Sequence, residues 1–376
     1  MQKSLSFTTE VKKQNRQKIY NYLYHAKGAT RMMIVNKLGI SLKTVINNLD
    51  DLCKEGLVES AGFQNNTGGR KAQLYKISPD AYYSIGIDIT PHHINAILID
   101  LNGAPVHVFR IHEPFTRTDS YYKKIGNVVE NLCSNDFISE EKILGVGISL
   151  PGLVDKNGQN TYYCKVLDIE NVNISEFTRY IPFNSMLCHD VDMAAYAELH
   201  NNPTMADFFY LLLSETIGGA IFINAQLYSG LHNRSAEIGH LKLAKHGRRC
   251  YCGNYGCMDP YCSEKYLTEL TNGDLPKFMS MLKDNNSEAK DKWEKYTDNL
   301  AIAIHDIHML FDSNLIIGGH IGEYLTPLML VDIQKKVQQL DPFKGIPTYI
   351  KLCSYKREAA ATGAALIFVR EFLNQV

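Results

Sequence analysis

The 376-residue chain lacks an apolar run long enough to span a bilayer, since even the stretch FFYLLL at Phe208–Leu213 is far too short. A membrane-spanning helix needs about 20 consecutive apolar residues. The N-terminal stretch MQKSLSFTTEVKKQNRQK is polar, and therefore predicts neither a secretory signal nor a membrane anchor. We expect no membrane insertion.

The chain also lacks the regular cysteine spacing of a disulfide framework. Its nine cysteines are an odd number, and the six outside one short cluster follow no such pattern. This pattern favours reduced thiols in a cytoplasm over a secreted disulfide-stabilised scaffold.

Net charge is nearly absent, at −1, but the charges are unevenly distributed. Residues 1–80 carry 13 Lys+Arg against 6 Asp+Glu, a net of +7, and the remainder carries 26 against 34, a net of −8. A basic segment ahead of an acidic body predicts two separate roles, the first of them on a polyanion.

The basic segment predicts three short helices. Thr30 is placed to cap the second helix and Gly39 to end it, and Ser41 is placed to cap the third. Two short helices joined by a tight turn that contains glycine are typical of a helix-turn-helix. The residues predicted to face DNA from the third helix are Ser41, Lys43, Thr44, Asn47 and Asn48.

Two strand-like stretches, GLVES and AQLYKIS, then flank a loop rich in glycine, asparagine and basic residues. This pattern predicts a wing in which Arg70 and Lys71 contact DNA, with the arginine along or in a minor groove. A small helical bundle with a flexible basic linker is the alternative. We assign residues 1–80 to a winged helix-turn-helix that binds double-stranded operator DNA.

From about residue 82 strands and helices alternate, and a strand-turn-strand pattern followed by helices occurs twice. Such a pattern predicts an α/β body with two lobes around a cleft. We place the lobes at residues 81–198 and 199–376.

One histidine and three clustered cysteines have the spacing H-x9-C-x-C-x4-C, formed by His240, Cys250, Cys252 and Cys257. An imidazole and three thiolates complete a tetrahedral Zn²⁺ site without an open position, so the predicted zinc is structural. A set of buried free cysteines is the alternative. Cys262 lies nearby but outside the pattern, and we treat it as a core residue.

The motifs GIDI, SLPGLVD, HDVDMAAYAE, SAEIGH, CYCGNYGC, IIGG and ATGAAL occur in this order along the chain. In this order they closely resemble the ROK family of repressors and sugar kinases, and a winged helix ahead of them resembles its sugar-responsive repressors. The resemblance covers nearly the whole chain. It implies an actin-like ATPase (ribonuclease H-like) fold, homodimers or tetramers, and structural zinc on the same four residues.

The resemblance also implies a sugar site on Asp190, Glu237 and His240. From the residues alone, Asp190 before a helix is as readily explained as a cap. The family's usual asparagine before this aspartate is His189 here, and a glutamate common after the last zinc cysteine is Asp259. We expect both to line the same pocket, and the sugar to be an unusual one.

Kinases of this family use two glycine-rich turns to bring backbone N–H groups against nucleotide phosphates. Here the first reads DITPH from Asp88, with a proline that removes an amide donor, and the second reads SETIGGA from Ser214. ATP binding is therefore predicted to be lost, and the chain to be a repressor without catalytic residues. An active sugar kinase with a DNA-binding appendage is the alternative. A sugar-transport phosphotransferase subunit remains a further possible inducer.

Overall fold

The first part of the chain forms three helices and a small antiparallel sheet. The structure, a computed structural model, describes residues 7–64, 72–134, 138–343 and 348–376. Strand β3 lies between β1 and β2 and is antiparallel to both. We call this part the head; its elements are α1 (Phe7–Ala26), β1 (Ala29–Thr30), α2 (Arg31–Leu38), α3 (Leu42–Lys54), β2 (Val58–Gln64) and β3 (Ala72–Ile77).

The structure confirms the predicted capping residues of the head. The Met33 N–H donates to Thr30 Oγ1 at 3.3 Å at the start of α2, and the Thr44 N–H donates to Ser41 Oγ at 3.2 Å at the start of α3. Gly39 ends α2 with φ of +66°, a left-handed conformation in which glycine has no Cβ penalty. These contacts set the turn between α2 and α3.

The prediction that Asn48 lies on the DNA-facing side of α3 is wrong. Its side chain is only 3 % exposed, and its Nδ2 donates to the Thr44 carbonyl at 2.8 Å. The position falls on the buried stripe with Val45, Leu49 and Leu52, because residues three and four apart share one face of a helix. Asn48 is therefore a core residue of the head.

The first lobe is built on a five-stranded mixed sheet in the order β11-β7-β4-β5-β6. β4 and β6 are antiparallel to β5, whereas β7 is parallel to β4 and to β11. Helix α4 covers an apolar face of the sheet. The elements are β4 (Tyr83–Ile89), β5 (His93–Asp100), β6 (Pro105–His112), α4 (Asp119–Cys133), β7 (Ile143–Leu150), β8 (Leu153–Val154), β9 (Asn160–Tyr163), β10 (Val172–Asn173), β11 (Ser185–His189) and α5 (Asp190–Asn201).

The second lobe repeats this topology in the order β14-β13-β12-β15-β16, with the first three strands antiparallel and the last two parallel. The two lobes predicted from the repeated pattern are thus present. Within the described ranges, no helix is long and apolar enough to cross a membrane. The elements are β12 (Phe208–Leu213), β13 (Ile217–Ile223), β14 (Gln226–Leu227), α6 (Asp259–Cys262), α7 (Glu264–Thr268), α8 (Leu275–Lys283), α9 (Ser287–Phe311), β15 (Asn314–Gly318), α10 (Gly319–Tyr324), α11 (Pro327–Leu340), β16 (Ile350–Leu352) and α12 (Ala359–Leu373).

The last helix, α12, returns to the first lobe and packs on β4, β7 and α5. The predicted boundary, which gives residues 199–376 to one lobe, is therefore wrong for this helix. Small residues explain the close packing: a Cβ on Gly86 of β4 would overlap the Ala361 carbonyl, and one on Gly147 of β7 would overlap the Ala364 carbonyl. The helix thus sits against the strand backbones, where larger side chains do not fit.

The head joins the body through a shared apolar core. Tyr20 of α1 packs edge-on against Phe372 of α12 at 6.0 Å between ring centroids, and Gln17 Nε2 donates to the Asn374 carbonyl at 2.8 Å. Buried Ile19 and Leu23 belong to the same cluster as residues of α12. The head therefore contacts α12 directly.

Candidate functional site

The four predicted metal ligands converge at one point of the second lobe. One ligand atom from each of His240, Cys250, Cys252 and Cys257 lies within 4.8 Å of every other. Cys252 Sγ is 3.9 Å from Cys257 Sγ, and Cys250 Sγ is 3.8 Å from His240 Nδ1. Zn–S bonds of about 2.3 Å in a tetrahedral site place two sulfurs about 3.8 Å apart. The donor set and its spacing fit a tetrahedral ion.

The loop around the cluster explains how three thiols can meet. Gly253 and Gly256 have φ of +90° and +73°, conformations that favour glycine. A Cβ on Gly256 would overlap the Ala244 carbonyl, so this position also requires the close approach of two backbones. Lys242 Nζ lies 3.3 Å from Cys257 Sγ, where its positive charge would offset part of the negative charge of metal-bound thiolates.

Next to the His-Cys₃ cluster lies a cavity of about 530 Å³, which we call the carbohydrate pocket after the ligand predicted for it from the sequence. His189, Glu237 and His240 line it, so the structure brings together three of the predicted sugar ligands. The Nδ1 atom of His240 faces the cysteines, and its Nε2 lies 3.4 Å from the Tyr251 hydroxyl. A metal on Nδ1 fixes the tautomer and so defines the hydrogen bonding of Nε2.

Asp190 lines an adjoining cavity of about 560 Å³ between the lobes, which we call the interlobe cavity. The two cavities share Pro151 and Val166 as lining residues. One Asp190 oxygen accepts from the Val191 N–H at 2.7 Å, which satisfies a free amide at the start of α5. The carboxylate thus lines the cleft and contacts the start of α5, although His189 and not Asp190 occupies the N-cap position.

Asp259 is not in the cleft, contrary to the prediction. It is only 4 % exposed, and its carboxylate accepts from the Ile217 N–H at 2.9 Å. It lines neither the carbohydrate pocket nor the interlobe cavity. Because Asp259 begins α6 and faces β13, it fastens the helix after the metal loop to the second sheet.

Asp190 and His189 form an electrostatic pair. His189 Nε2 is 3.6 Å from Asp190 Oδ1, and His189 Nδ1 is 3.5 Å from Asp192 Oδ2. Burial raises the pKa of Asp190 to about 7, with His189 opposing the rise. Burial disfavours the charge on His189, but the Asp192 and Asp190 carboxylates outweigh it and raise the pKa of His189 to about 9.

The two turns that correspond to the nucleotide-binding turns face each other across the interlobe cavity. His92 Nε2 of the first lies 3.5 Å from Glu215 Oε1 of the second. Asp88 accepts hydrogen bonds from Asn95 Nδ2 at 3.0 Å and from Ser149 Oγ at 2.8 Å. Side chains thus contact each other where a phosphate cradle needs open backbone N–H groups.

Several residues of the interlobe cavity were missed by sequence reasoning. Residues 93–96 of β5 and 109–112 of β6 alternate polar and apolar side chains, and a period of two places the polar ones on one face. That alternation is the signal for His93, Arg110 and His112, whereas His320, Lys356 and Arg357 lie on other segments and have no such signal. The missed cavity residues include His93, Arg110, His112, His320, Lys356 and Arg357.

The predicted DNA-facing residues are mostly accessible. Ser41, Lys43 and Asn47 are exposed and Thr44 is half-buried, whereas Asn48 is buried. Arg70 and Lys71 lie outside the described residues. The exposed residues lie in and next to the first two turns of α3.

A duplicated five-stranded sheet in two lobes, with a His-Cys₃ cluster beside the cleft, defines an α/β body of the sugar kinase and repressor class. The ROK family profile matches residues 84–371, and the chain belongs to the ROK family. It is 26% identical to the xylose repressor of Bacillus spizizenii over 98% of each chain. It is 22% identical to the DNA-binding transcriptional dual regulator NagC of Escherichia coli, covering 66% of this chain and 62% of NagC.

Solved structures show the same fold. A ROK family transcriptional regulator, a homolog of the E. coli MLC protein, superposes with a TM-score of 0.76 at 16% identity over 97% of each chain. A ROK family glucokinase from Streptomyces griseus, in complex with glucose and AMPPNP, superposes with a TM-score of 0.66 at 21% identity. That match covers 76% of this chain and 98% of the glucokinase.

Proposed function

We propose that this protein is a transcriptional repressor of carbohydrate-utilisation genes whose affinity for operator DNA is controlled by a sugar. The observation that carries the proposal is the match to a xylose repressor over 98% of both chains, head included. In the proposal, the head is a winged helix-turn-helix and α3 enters the major groove. The exposed Lys43 and Asn47 then reach phosphates and base edges.

The proposed sugar lies in the carbohydrate pocket against Glu237, His189 and His240, and reaches Asp190 at the boundary with the interlobe cavity. A Zn²⁺ ion on the His-Cys₃ cluster would hold the imidazole of His240 in place. The metal is structural in this proposal, because the cluster supplies four ligands. These roles rest on the positions of the residues in the two cavities.

A path of packed elements connects the proposed sugar site with the head. Asp190 begins α5, α5 packs on α12, and α12 contacts α1. Sugar binding that moves α5 would therefore change the position of the head. In a homodimer, two heads must match half-sites about 34–36 Å apart or a multiple of it, so small rotations change operator affinity.

A sugar kinase is the second candidate function, because the fold matches a glucokinase and Asp190 lies in the cleft with a raised pKa. A carboxylate with these properties suits a general base. The contact between His92 and Glu215 argues against it, since it places a carboxylate between the turns that would hold phosphates. We therefore favour a binding protein over an enzyme.

Fluorescence anisotropy on DNA from upstream of the protein's own gene tests the proposal. Xylose, N-acetylglucosamine and a wider panel of sugars are titrated into the complex at fixed salt. Salt-sensitive binding that one sugar changes supports the repressor. Binding that no sugar changes points to a protein or phosphorylated inducer, such as a phosphotransferase subunit. No binding to DNA, with phosphorylation of a sugar by ATP, establishes the kinase.

Adjacent asparagines on α3 provide a matched test of the DNA-binding face. Asn47→Ala is expected to weaken operator binding by about 1–3 kcal/mol, because the side chain is exposed where a base edge is contacted. Asn48→Ala is expected to leave the affinity of the folded protein within about twofold, because its side chain is buried. Anisotropy measures the affinities, and thermal unfolding gives the folded fraction. Equal losses for the two variants would contradict this placement of α3.

The pKa of Asp190 predicts a pH-dependent sugar affinity. With a pKa of about 7, the carboxylate is mostly protonated at pH 6 and mostly ionised at pH 8. Ionised Asp190 accepts hydrogen bonds from sugar hydroxyls, so the affinity should rise by up to about tenfold over this range. Calorimetric titrations at each pH measure it. Asp190→Asn should bind more weakly with a flat profile, and a pH dependence that persists in this variant would assign the titration elsewhere.

A further inference from the structure

The far end of α5 contacts the head directly. His200 lies in the last turn of α5, and its ring packs on the ring of Tyr24 of α1 with 6.2 Å between the two centroids. Its Nε2 donates to the Asn102 carbonyl at 3.1 Å, in the turn between β5 and β6. His200 therefore contacts both the head and the first lobe.

Tyr24 lies where several elements of the body meet. It packs against the apolar cluster that includes Ala197 of α5, and Tyr196 and Tyr355 pack against the same cluster. Burial raises the pKa of the Tyr24 hydroxyl, and the nearby Tyr196 and Asp100 add to the rise. A large side chain of the head thus lies among α5, the β5–β6 hairpin and the segment before α12, so a displacement of α5 changes its surroundings.

The last turn of α5 is also bonded to the segment that links the two lobes. Glu198 is only 3 % exposed, and its Oε1 accepts from the backbone N–H groups of Ser354 at 2.6 Å and of Tyr355 at 2.9 Å. These two residues lie between β16 of the second lobe and α12, which packs on the first lobe. A change in the angle between the lobes therefore acts on this turn of α5 through a buried carboxylate.

A close contact with α12 lies between the two ends of α5. A Cβ on Gly363 of α12 would overlap the Met193 carbonyl, so the backbones of the two helices touch at this point. Met193 follows Asp190 by three residues and precedes His200 by seven, which correspond to about 4.5 Å and about 10.5 Å along a helix. A tilt of α5 about Met193 moves His200 roughly twice as far as Asp190.

We propose that α5 acts as a lever and that His200 is the positioning residue through which it moves the head. Sugar at Asp190, or a change in the angle between the lobes that acts on Glu198, tilts α5, and the His200 ring then displaces the Tyr24 ring together with α1. The lever rests on the proposed function and adds a direct route to the path through α12. In this arrangement α12 supports the head and α5 sets its orientation.

His200→Gln tests the lever in the full chain. Glutamine keeps an N–H donor for the Asn102 carbonyl but has no ring to pack on Tyr24. The sugar is the one that changes operator binding in the titrations described above. We expect the variant to bind this sugar in calorimetry, and the operator in anisotropy, each within about twofold of the unmodified protein.

The quantity that should change is the factor by which sugar alters operator affinity. In His200→Gln this factor should shrink at least about threefold, because only the path through α12 remains. A merely structural role of His200 would instead lower the thermal stability or both separate affinities and leave the factor unchanged. Tyr24→Leu removes the other ring of the contact and should shrink the factor equally, with no further loss in the double variant.

His25→Ala is the matched control, because this imidazole packs on the same Tyr24 ring from within the head, with 5.2 Å between centroids. It should keep the full sugar effect. An unchanged sugar effect in His200→Gln, or equal losses in the His200 and His25 variants, would overturn the lever. Absence of a sugar effect in the unmodified protein would overturn the repressor proposal itself and the lever with it, so the two failures are distinguishable.

Discussion

Replacing Cys250 and Cys252 together with serine is expected to abolish both the proposed zinc binding and the proposed response to sugar. Serine is a poor zinc ligand, and two remaining ligands do not hold a structural ion. His240 Nδ1 lies 3.8 Å from Cys250 Sγ, so loss of the ion frees the imidazole whose Nε2 side borders the carbohydrate pocket. A hydrogen bond between the sugar and a fixed imidazole contributes about 1.5 kcal/mol, which corresponds to slightly more than a factor of ten. Loss of that hydrogen bond should therefore lower the sugar affinity more than about tenfold.

Metal analysis of the purified protein measures the first effect, with one ion per chain expected before the substitutions and none after them. Cobalt substitution adds a spectroscopic test, because a tetrahedral thiolate site gives intense visible bands. The midpoint temperature of thermal unfolding is expected to fall, because metal binding stabilises the folded state. Cys53→Ser is the matched control, since this thiol is exposed in the head. A double variant that lacks zinc but binds sugar normally would show that the two sites are independent.

Local sequence signals predicted much of the fold and of the metal cluster. Ser41 and Gly39 act through bonds and dihedral angles within a few residues, so their roles follow from the sequence around them. The three cysteines predicted as ligands lie within one short loop whose glycines permit its turns. Such features do not depend on how distant segments pack.

Predictions that depended on the direction of a side chain were less successful. Asn48 is polar but falls on the buried stripe of α3, and composition alone does not separate it from the exposed Asn47. Asp259 follows the metal loop closely, yet its carboxylate faces the Ile217 backbone on β13. Neither orientation follows from spacing along the chain, because each is fixed by a partner element.

Features formed by distant segments could not be predicted from the sequence order. Arg110 and Lys356 are 246 positions apart and share a cavity only because the chain returns to the first lobe after the second. The packing of α12 on the first lobe is likewise a long-range contact. Glycines on β4 and β7 make room for the helix, but nothing in the sequence around them predicts which segment packs there. Long-range packing therefore determined the parts that sequence reasoning missed.

Gly363→Ala is expected to destabilise the protein strongly and to weaken sugar binding. Gly363 lies in α12, and a Cβ there would overlap the Met193 carbonyl of α5. The Met193 backbone cannot move aside as a flexible side chain does, so the two helices must separate. We expect the free energy of unfolding to fall by about 3 kcal/mol or more. Because Asp190 begins α5, the same displacement moves the proposed sugar ligand. Thermal unfolding and calorimetric sugar titration measure the two effects.

Gly322→Ala in α10 is the matched control, because its Cβ would have ordinary contacts, with the nearest atom, the Ile317 carbonyl oxygen, at 3.4 Å. Alanine in a helix restricts the unfolded chain more than glycine does, so this variant should be unchanged or stabilised by up to about 1 kcal/mol. The same chemical change is thus expected to destabilise the protein at Gly363 but not at Gly322. If Gly363→Ala unfolds at the temperature of Gly322→Ala, α12 does not pack on α5 as closely as described, and the proposed path from sugar to head loses its support.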